Sequence, residues 1–221
     1  MGKLDGIVRR YMPLSAVIDT LQRREIALLD PQNWDDRNDR KCLQIYKERK
    51  GYRSLYAMCA ADCSETYSHW RIYTPGADGA CVELVTEHLE EALRTRGDAL
   101  FRSVDYVTLP EVDRLSEGDL DRLPFCKRAG YGAEEEYRVI AWSDKDQAAA
   151  LSMPIEVNWI RRVELNPWMP PPLAESMKKT LKLIPEWSHL RVSQSTLIDN
   201  KRWRDAADRV GGRIPPEDLT K

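Results

Sequence analysis

A row of charge opens a segment that is otherwise apolar: Lys127-Arg-Ala-Gly-Tyr-Gly-Ala-Glu-Glu-Glu-Tyr-Arg-Val-Ile-Ala-Trp142. The aromatic and β-branched run from Tyr137 predicts a strand, expected over Glu134 to Trp142. Alternate side chains of a strand share a face. Glu134, Glu136 and Arg138 therefore point one way, and Glu135, Tyr137, Val139 and Ala141 the other. Carrying such a row into a folded chain is costly unless its members are paired or hydrogen-bonded. The segment is either a solvated edge or the wall of a polar site.

The chain of 221 residues suits one domain. Its 42% hydrophobic content and seven tryptophans are enough for a real core. We expect a single α+β domain over 1–210, with Gly211-Gly212 and Pro215-Pro216 signalling a flexible polar tail over 211–221. A net charge of −2 and a pI near 6.0 give no domain-wide positive field, so overall charge does not indicate nucleic acid. Five scattered cysteines, an odd number, argue for reduced thiols in a cytoplasmic setting. Cys59 and Cys63 are four apart, but only three histidines exist and no second cysteine pair follows, so no structural metal is expected. Neither a signal-peptide run nor a membrane-length apolar stretch is visible.

Leu14, Val17, Ile18 and Leu21 repeat at helical spacing behind Pro13 and predict a helix ending near Arg24. Ile26 to Leu29 reads as a short strand stopped by Asp30-Pro31, and an acidic loop around Trp34 follows. A second helix carries Cys42, Leu43, Ile45 and Tyr46. Strands are expected over 54–60, 80–85 and 102–109, with a helix over 64–73 and another from Thr86 to Arg94. Ser116 with Asp119 forms a capping pair for a short helical turn. Downstream, 154–157 and 160–165 read as two short strands that could pair. A helix through Leu173, Met177 and Leu181 comes next, then a strand over 189–192 and a polar helix around Trp203. Without regular βαβ units or a glycine-rich phosphate loop, the order favours α+β: a mixed, mostly antiparallel sheet with flanking helices.

Several blocks resemble a bacterial family of domains of unknown function. They are Arg10-Tyr11, then Leu14, Leu21 and Leu28, then the Trp34-Asp35-Asp36…Asp39 loop. Met58-Cys59 through Ser64, Trp70-x-x-Tyr73, Gly79-x-Cys-Val-Glu-Leu84, and Lys127 ahead of Glu134-x-Glu136-Tyr137-Arg138 continue the likeness, over roughly 9–165. The acidic loop lacks the proline usual in that family, and Ala60 stands where an aromatic residue is common.

By extension from that family, the fold is expected to be similar to the ADP-ribosyltransferase superfamily, whose members grip NAD between two small sheets. That resemblance implies NAD as the substrate, Arg10 and Tyr11 contacting the dinucleotide, and Ser64 or Tyr73 packing on the nicotinamide. It further implies Glu136, supported by Glu134, stabilising positive charge on the ribose, with Arg138 in the same cleft. Such proteins include toxins and defence effectors. Two other readings stay open. Asp35, Asp36, Asp39, Glu134, Glu136 and Lys127 could serve a metal-dependent phosphodiesterase, or the cleft could dock a nucleotide or protein partner without catalysis. Each residue also has a plainer role. Arg10 and Tyr11 can anchor the amino terminus, Trp70 and Tyr73 can pack a helix, and the Trp34 loop can cap one. His69 can act as a base or merely pack, and the acidic run can face water.

Overall fold

The computed structural model describes residues 6–211. Strand β1 (Ile7–Pro13) leads into α1 (Leu14–Arg23), β2 (Glu25–Leu29), α2 (Arg37–Lys50), β3 (Ser54–Ala61), α3 (Tyr67–Tyr73) and β4 (Gly79–Val85). Next come α4 (Thr86–Arg96), β5 (Ala99–Ser103), β6 (Asp105–Val107), α5 (Leu109–Val112), β7 (Cys126–Arg128) and β8 (Glu136–Ser143). The chain closes with β9 (Ala150–Pro154), β10 (Ile160–Leu165), α6 (Pro171–Leu183), β11 (Val192–Gln194) and α7 (Lys201–Gly211). The tail expected over 211–221 lies, apart from Gly211, outside the described residues.

Among the described residues nine strands form one sheet, with antiparallel ladders throughout except that β10 and β11 run parallel. A separate pair, β6 and β7, is parallel. The fold is α+β, mixed and mostly antiparallel. Its organising feature is β3. One edge of β3 pairs with β8 along its whole length, from Ser54↔Ser143 to Ala61↔Glu136. The other edge is divided between β1 at Ala61 and β2 at Ala57, so β1 and β2 diverge. Arg10 spans that gap and donates from Nη2 to the Ala27 carbonyl at 2.9 Å.

The two faces of the sheet differ in chemistry. Val8, Met12, Tyr56, Met58, Val82, Leu84, Tyr137 and Val139 fill one face, covered by Val17 and Leu21 of α1, Leu89 and Leu93 of α4, and Ala174 and Leu181 of α6. Trp187 closes this core and donates its indole N–H to the Leu21 carbonyl at 2.8 Å. On the opposite face a smaller core joins Leu43 and Tyr46 of α2 to Leu55, Ala57, Phe125 and Ile140. Beyond it that face turns polar, carrying Arg9, Tyr11, Cys59, Cys81, Glu83, Glu136, Arg138 and Glu164.

Several elements fall where local periodicity puts them, and others do not. No strand forms over 154–157 to pair with β10. Strand β9 lies earlier and pairs with β2, with Ile26 opposite Met153, because β10 already lies against β4. The extended stretch expected over 102–109 breaks at Val104: β5 joins β8, while β6 leaves the sheet for β7. Similarly, β11 begins at Val192, the residue that ended the strand expected there.

Candidate functional site

The strand that opens with charge begins at Glu136, two residues later than its composition suggests. Glu135 takes a left-handed conformation (φ 41°), unusual for a side chain larger than glycine. That twist separates Glu134 from the strand register. Glu136 and Arg138 then share the polar face while Tyr137, Val139 and Ala141 enter the main core, as alternation requires. The backbone is pinned from several sides. The Asp62 N–H donates to the Glu135 carbonyl at 2.7 Å, and the Glu136 N–H donates to the Tyr106 hydroxyl at 2.8 Å.

Arg138 is the centre of a buried ion cluster and is fully shielded from solvent. Its Nε donates to Glu136 Oε1 at 2.6 Å and Nη2 to Glu136 Oε2 at 3.0 Å. Asp39 on α2 accepts from Nη2 at 2.9 Å and from Nη1 at 3.3 Å, and the Pro124 carbonyl accepts from Nη1 at 2.9 Å. All five guanidinium N–H groups are thereby used. Lys127 of β7 extends the cluster, with Nζ 2.5 Å from Glu134, 3.1 Å from Glu136 and 3.7 Å from Asp39. Three carboxylates against two cations leave one negative charge in excess. Burial alone would push the Glu136 carboxyl up, but the charge and hydrogen bonds of Arg138, aided by Lys127, hold it down at about 2. Burial would likewise push Lys127 down, yet its acidic neighbours raise it, so it stays protonated.

Beside this cluster three rings stack nearly parallel. Tyr11 and His69 lie 5.3 Å apart at 8°, His69 and Tyr73 5.9 Å at 21°, and Tyr11 and Tyr73 6.5 Å at 29°. Trp70 meets Tyr11 edge-on at 5.0 Å. The backbone of α3 sets this stack, because Thr66 caps it by accepting from the His69 N–H at 3.1 Å. Both ring nitrogens of His69 are engaged, Nε2 with the Glu134 carbonyl at 2.9 Å and Nδ1 with Thr66 Oγ1 at 2.5 Å. A carbonyl only accepts, so Nε2 donates to Glu134, while Nδ1 shares its hydrogen bond with the Thr66 hydroxyl. His69 thus holds the stack in place, with both ring nitrogens engaged inside the fold.

A hollow of about 60 Å³ opens between the rings and the ion cluster, lined by Arg9, Tyr11, Cys59, Ala60, Ala61, His69, Tyr73, Glu134 and Glu136. Burial, followed by the charge of Glu136, pushes the Cys59 thiol up, so it stays neutral. On the far side Arg9 donates to Glu83 at 2.6 Å and to the Cys63 carbonyl at 2.8 Å. Glu83 also pairs with Arg162 at 2.9 Å. Among the described residues, Arg9 Nε and the Tyr11 hydroxyl are buried without a hydrogen-bond partner. Two unspent donors at one small hollow are unusual in a folded chain.

Of the residues singled out in the sequence, Tyr11, His69, Tyr73, Glu134 and Glu136 meet at this hollow. Arg10 does not: it lies on the opposite face of β1 and holds β1 to β2. Ser64 is exposed and absent from the hollow's walls. Arg138 sits behind Glu136 and positions it. Arg9 went unnoticed, although it alternates with Tyr11 along β1 and so must share its face. In the acidic loop, Asp36 caps α2 by accepting from the Asn38 N–H at 2.8 Å, and Asp39 is spent on Arg138. Among the described residues no group of three or more His, Cys, Asp or Glu side chains is arranged to hold a metal ion. No helix among them is long and apolar enough to cross a membrane.

No protein-family model matches the chain, and no curated protein matches it. Solved structures of Thermus sp. 2.9 DarT are similar to it at low identity. The DarT complex with NAD+ has 12% identity and a TM-score of 0.42, covering 86% of this chain and 95% of that one. The DarT complex with ADP-ribosylated single-stranded DNA has 12% identity and a TM-score of 0.44, covering 88% and 97%. The complex with carba-NAD+ has 11% identity and a TM-score of 0.42.

Proposed function

We propose that this chain is an NAD-consuming, ADP-ribosyltransferase-like protein of the kind that serves as a toxin or defence effector, with its reaction centred on the hollow at Tyr11, Tyr73, Glu134 and Glu136. The observation that carries this reading is the juxtaposition of a parallel ring stack with an ionised carboxylate cluster bearing one excess negative charge. A flat cationic ring such as nicotinamide packs on Tyr11 and Tyr73, where the ring faces are electron-rich. Glu134, at the edge of the cluster, accepts from a ribose hydroxyl. As the C–N glycosidic bond breaks, its electron pair goes to the nicotinamide nitrogen and positive charge develops on the sugar. The excess negative charge of the cluster favours that charge, and an acceptor nucleophile then bonds to the same carbon.

The hollow is smaller than the roughly 150 Å³ that admits benzene in an apolar core. Entry therefore requires Tyr73, which is 39% exposed, to swing outward. The unpaired Tyr11 hydroxyl and Arg9 Nε are donors for the ligand's polar atoms.

The test is release of nicotinamide from NAD labelled in that ring. Glu134→Gln should cut release by about 10²-fold or more while leaving Arg138 and Glu136 paired. One observation favours a non-catalytic nucleotide-binding module instead: the oxygens of Glu136 are already occupied by Arg138 and Lys127. Saturable NAD binding without release would select that module, and absence of both would end either reading.

A further inference from the structure

A second hollow, of about 250 Å³, backs onto the Lys127–Asp39 pair on the side of α2. Its walls are mainly hydrocarbon: Val107, Leu109, Val112, Leu115 and Leu123, with the thiols of Cys42 and Cys126. Burial pushes the Cys42 thiol up to about 11, so it adds no charge. The segment providing most of this wall is poorly covered. Helix α5 buries none of its residues, and Leu109 and Val112 are 60% and 39% exposed. Apolar surface gathered around a concavity and left open is the usual signature of a ligand groove.

The charges at the rim identify the kind of ligand. Asp39 is spent on Arg138 at 2.9 Å, Asp36 on the N–H groups of α2, and Lys127 on Glu134 and Glu136. Lys41 and Arg128 also line the hollow, and among the described residues no hydrogen bond or ion pair engages either side chain. Lys41 and Arg128 are thus the charged side chains at this hollow that no other side chain engages. We propose that it binds a small organic acid with an apolar body, its carboxylate held by Lys41 and Arg128 and its hydrocarbon against Val112, Leu115 and Leu123. An apolar cavity of about 150 Å³ accommodates benzene, so this hollow suits roughly ten non-hydrogen atoms. Occupancy requires nothing of the smaller hollow at Tyr11, and the two sites can be tested separately.

The experiment is calorimetric titration of the full chain with octanoate, butanoate and octan-1-ol, each below its aggregation concentration. Octanoate should saturate a single site. Butanoate should bind on the order of 10²-fold more weakly, from about fourfold per methylene, and octanol about tenfold more weakly for want of the charge. The K41A/R128A double variant should bind octanoate no better than octanol, and Val112→Asp should abolish octanoate binding. Both sets of changes lie at exposed positions, so the fold should survive them, and circular dichroism checks this. Absence of saturable octanoate binding overturns the proposal. So does equal affinity for octanol and octanoate, or undiminished octanoate binding in either variant.

Discussion

Replacing Arg138 by methionine should be among the most destabilising single changes in the chain, and the geometry sets how large the effect is. The guanidinium is fully buried and supplies four hydrogen bonds to Glu136 and Asp39, which are 4% and 3% exposed. Without it, three carboxylates, those of Glu136, Asp39 and Glu134, share a single cation, Lys127. Leaving a buried charge uncompensated costs about 3–5 kcal/mol. The pKa of Glu136 leads to a similar figure. Held at about 2 rather than 4.5, its carboxylate favours the folded chain by roughly 3 kcal/mol. Because the folded value is depressed, this contribution is present above pH 4.5 and is lost as pH falls from there towards 2. Urea unfolding at pH 7 should therefore show Arg138→Met weaker than wild type by about 3–5 kcal/mol, equivalent to a drop in Tm of roughly 6–20 °C for a chain of this size. The acid-induced loss between pH 4.5 and 2 should shrink in the variant. A second substitution, Glu136→Gln, should cost much less in the Arg138→Met background than alone, since it removes the charge left stranded. A loss below about 1 kcal/mol at pH 7, or an unchanged acid profile, would refute the view of this cluster as a desolvated, mutually dependent set.

Two further outcomes follow from particular contacts. Tyr11→Phe removes a buried hydroxyl that has no partner, so Tm should hold or rise by about 2–4 °C, whereas stabilisation by added NAD should shrink. A clear fall in Tm without ligand would show that the hydroxyl is satisfied in the fold. Gly79→Ala places a methyl group against the Thr74 side chain, which itself donates to the Trp70 carbonyl at 2.9 Å and accepts from Asn166 at 3.3 Å. That neighbour has little room to move, so the urea midpoint should fall by the equivalent of about 1–3 kcal/mol. An unchanged midpoint would count against the tight approach there.

Much of the secondary structure can be read from local patterns, because helix and strand periods are written in adjacent residues. The helix through Val17 and Leu21 covers 14–23, and the one through Leu43 and Tyr46 covers 37–50. Ser116 and Asp119 do form a capping box. The placing of Glu136 and Arg138 on one face and Tyr137 and Val139 on the other also follows from alternation. What the patterns miss is partnership. Nothing near Asp39 announces an arginine 99 residues away, and nothing in the run before Tyr137 shows that Glu135 turns left-handed and takes Glu134 out of register. The same limit explains Arg10. Adjacent arginines on a strand must face opposite ways, but which one meets the hollow depends on which face of β1 receives helix α3.

The amino-acid order alone settled that this is an α+β chain with a strand whose charged and apolar rows lie on opposite faces, since both properties depend only on neighbours. Tertiary structure alone decided that the charged row is buried, that Lys127, Arg138 and Asp39 compensate it, and that Tyr11 stacks beside it. Those facts depend on which strand edges meet. No single segment contains enough of the charges to show how they compensate one another.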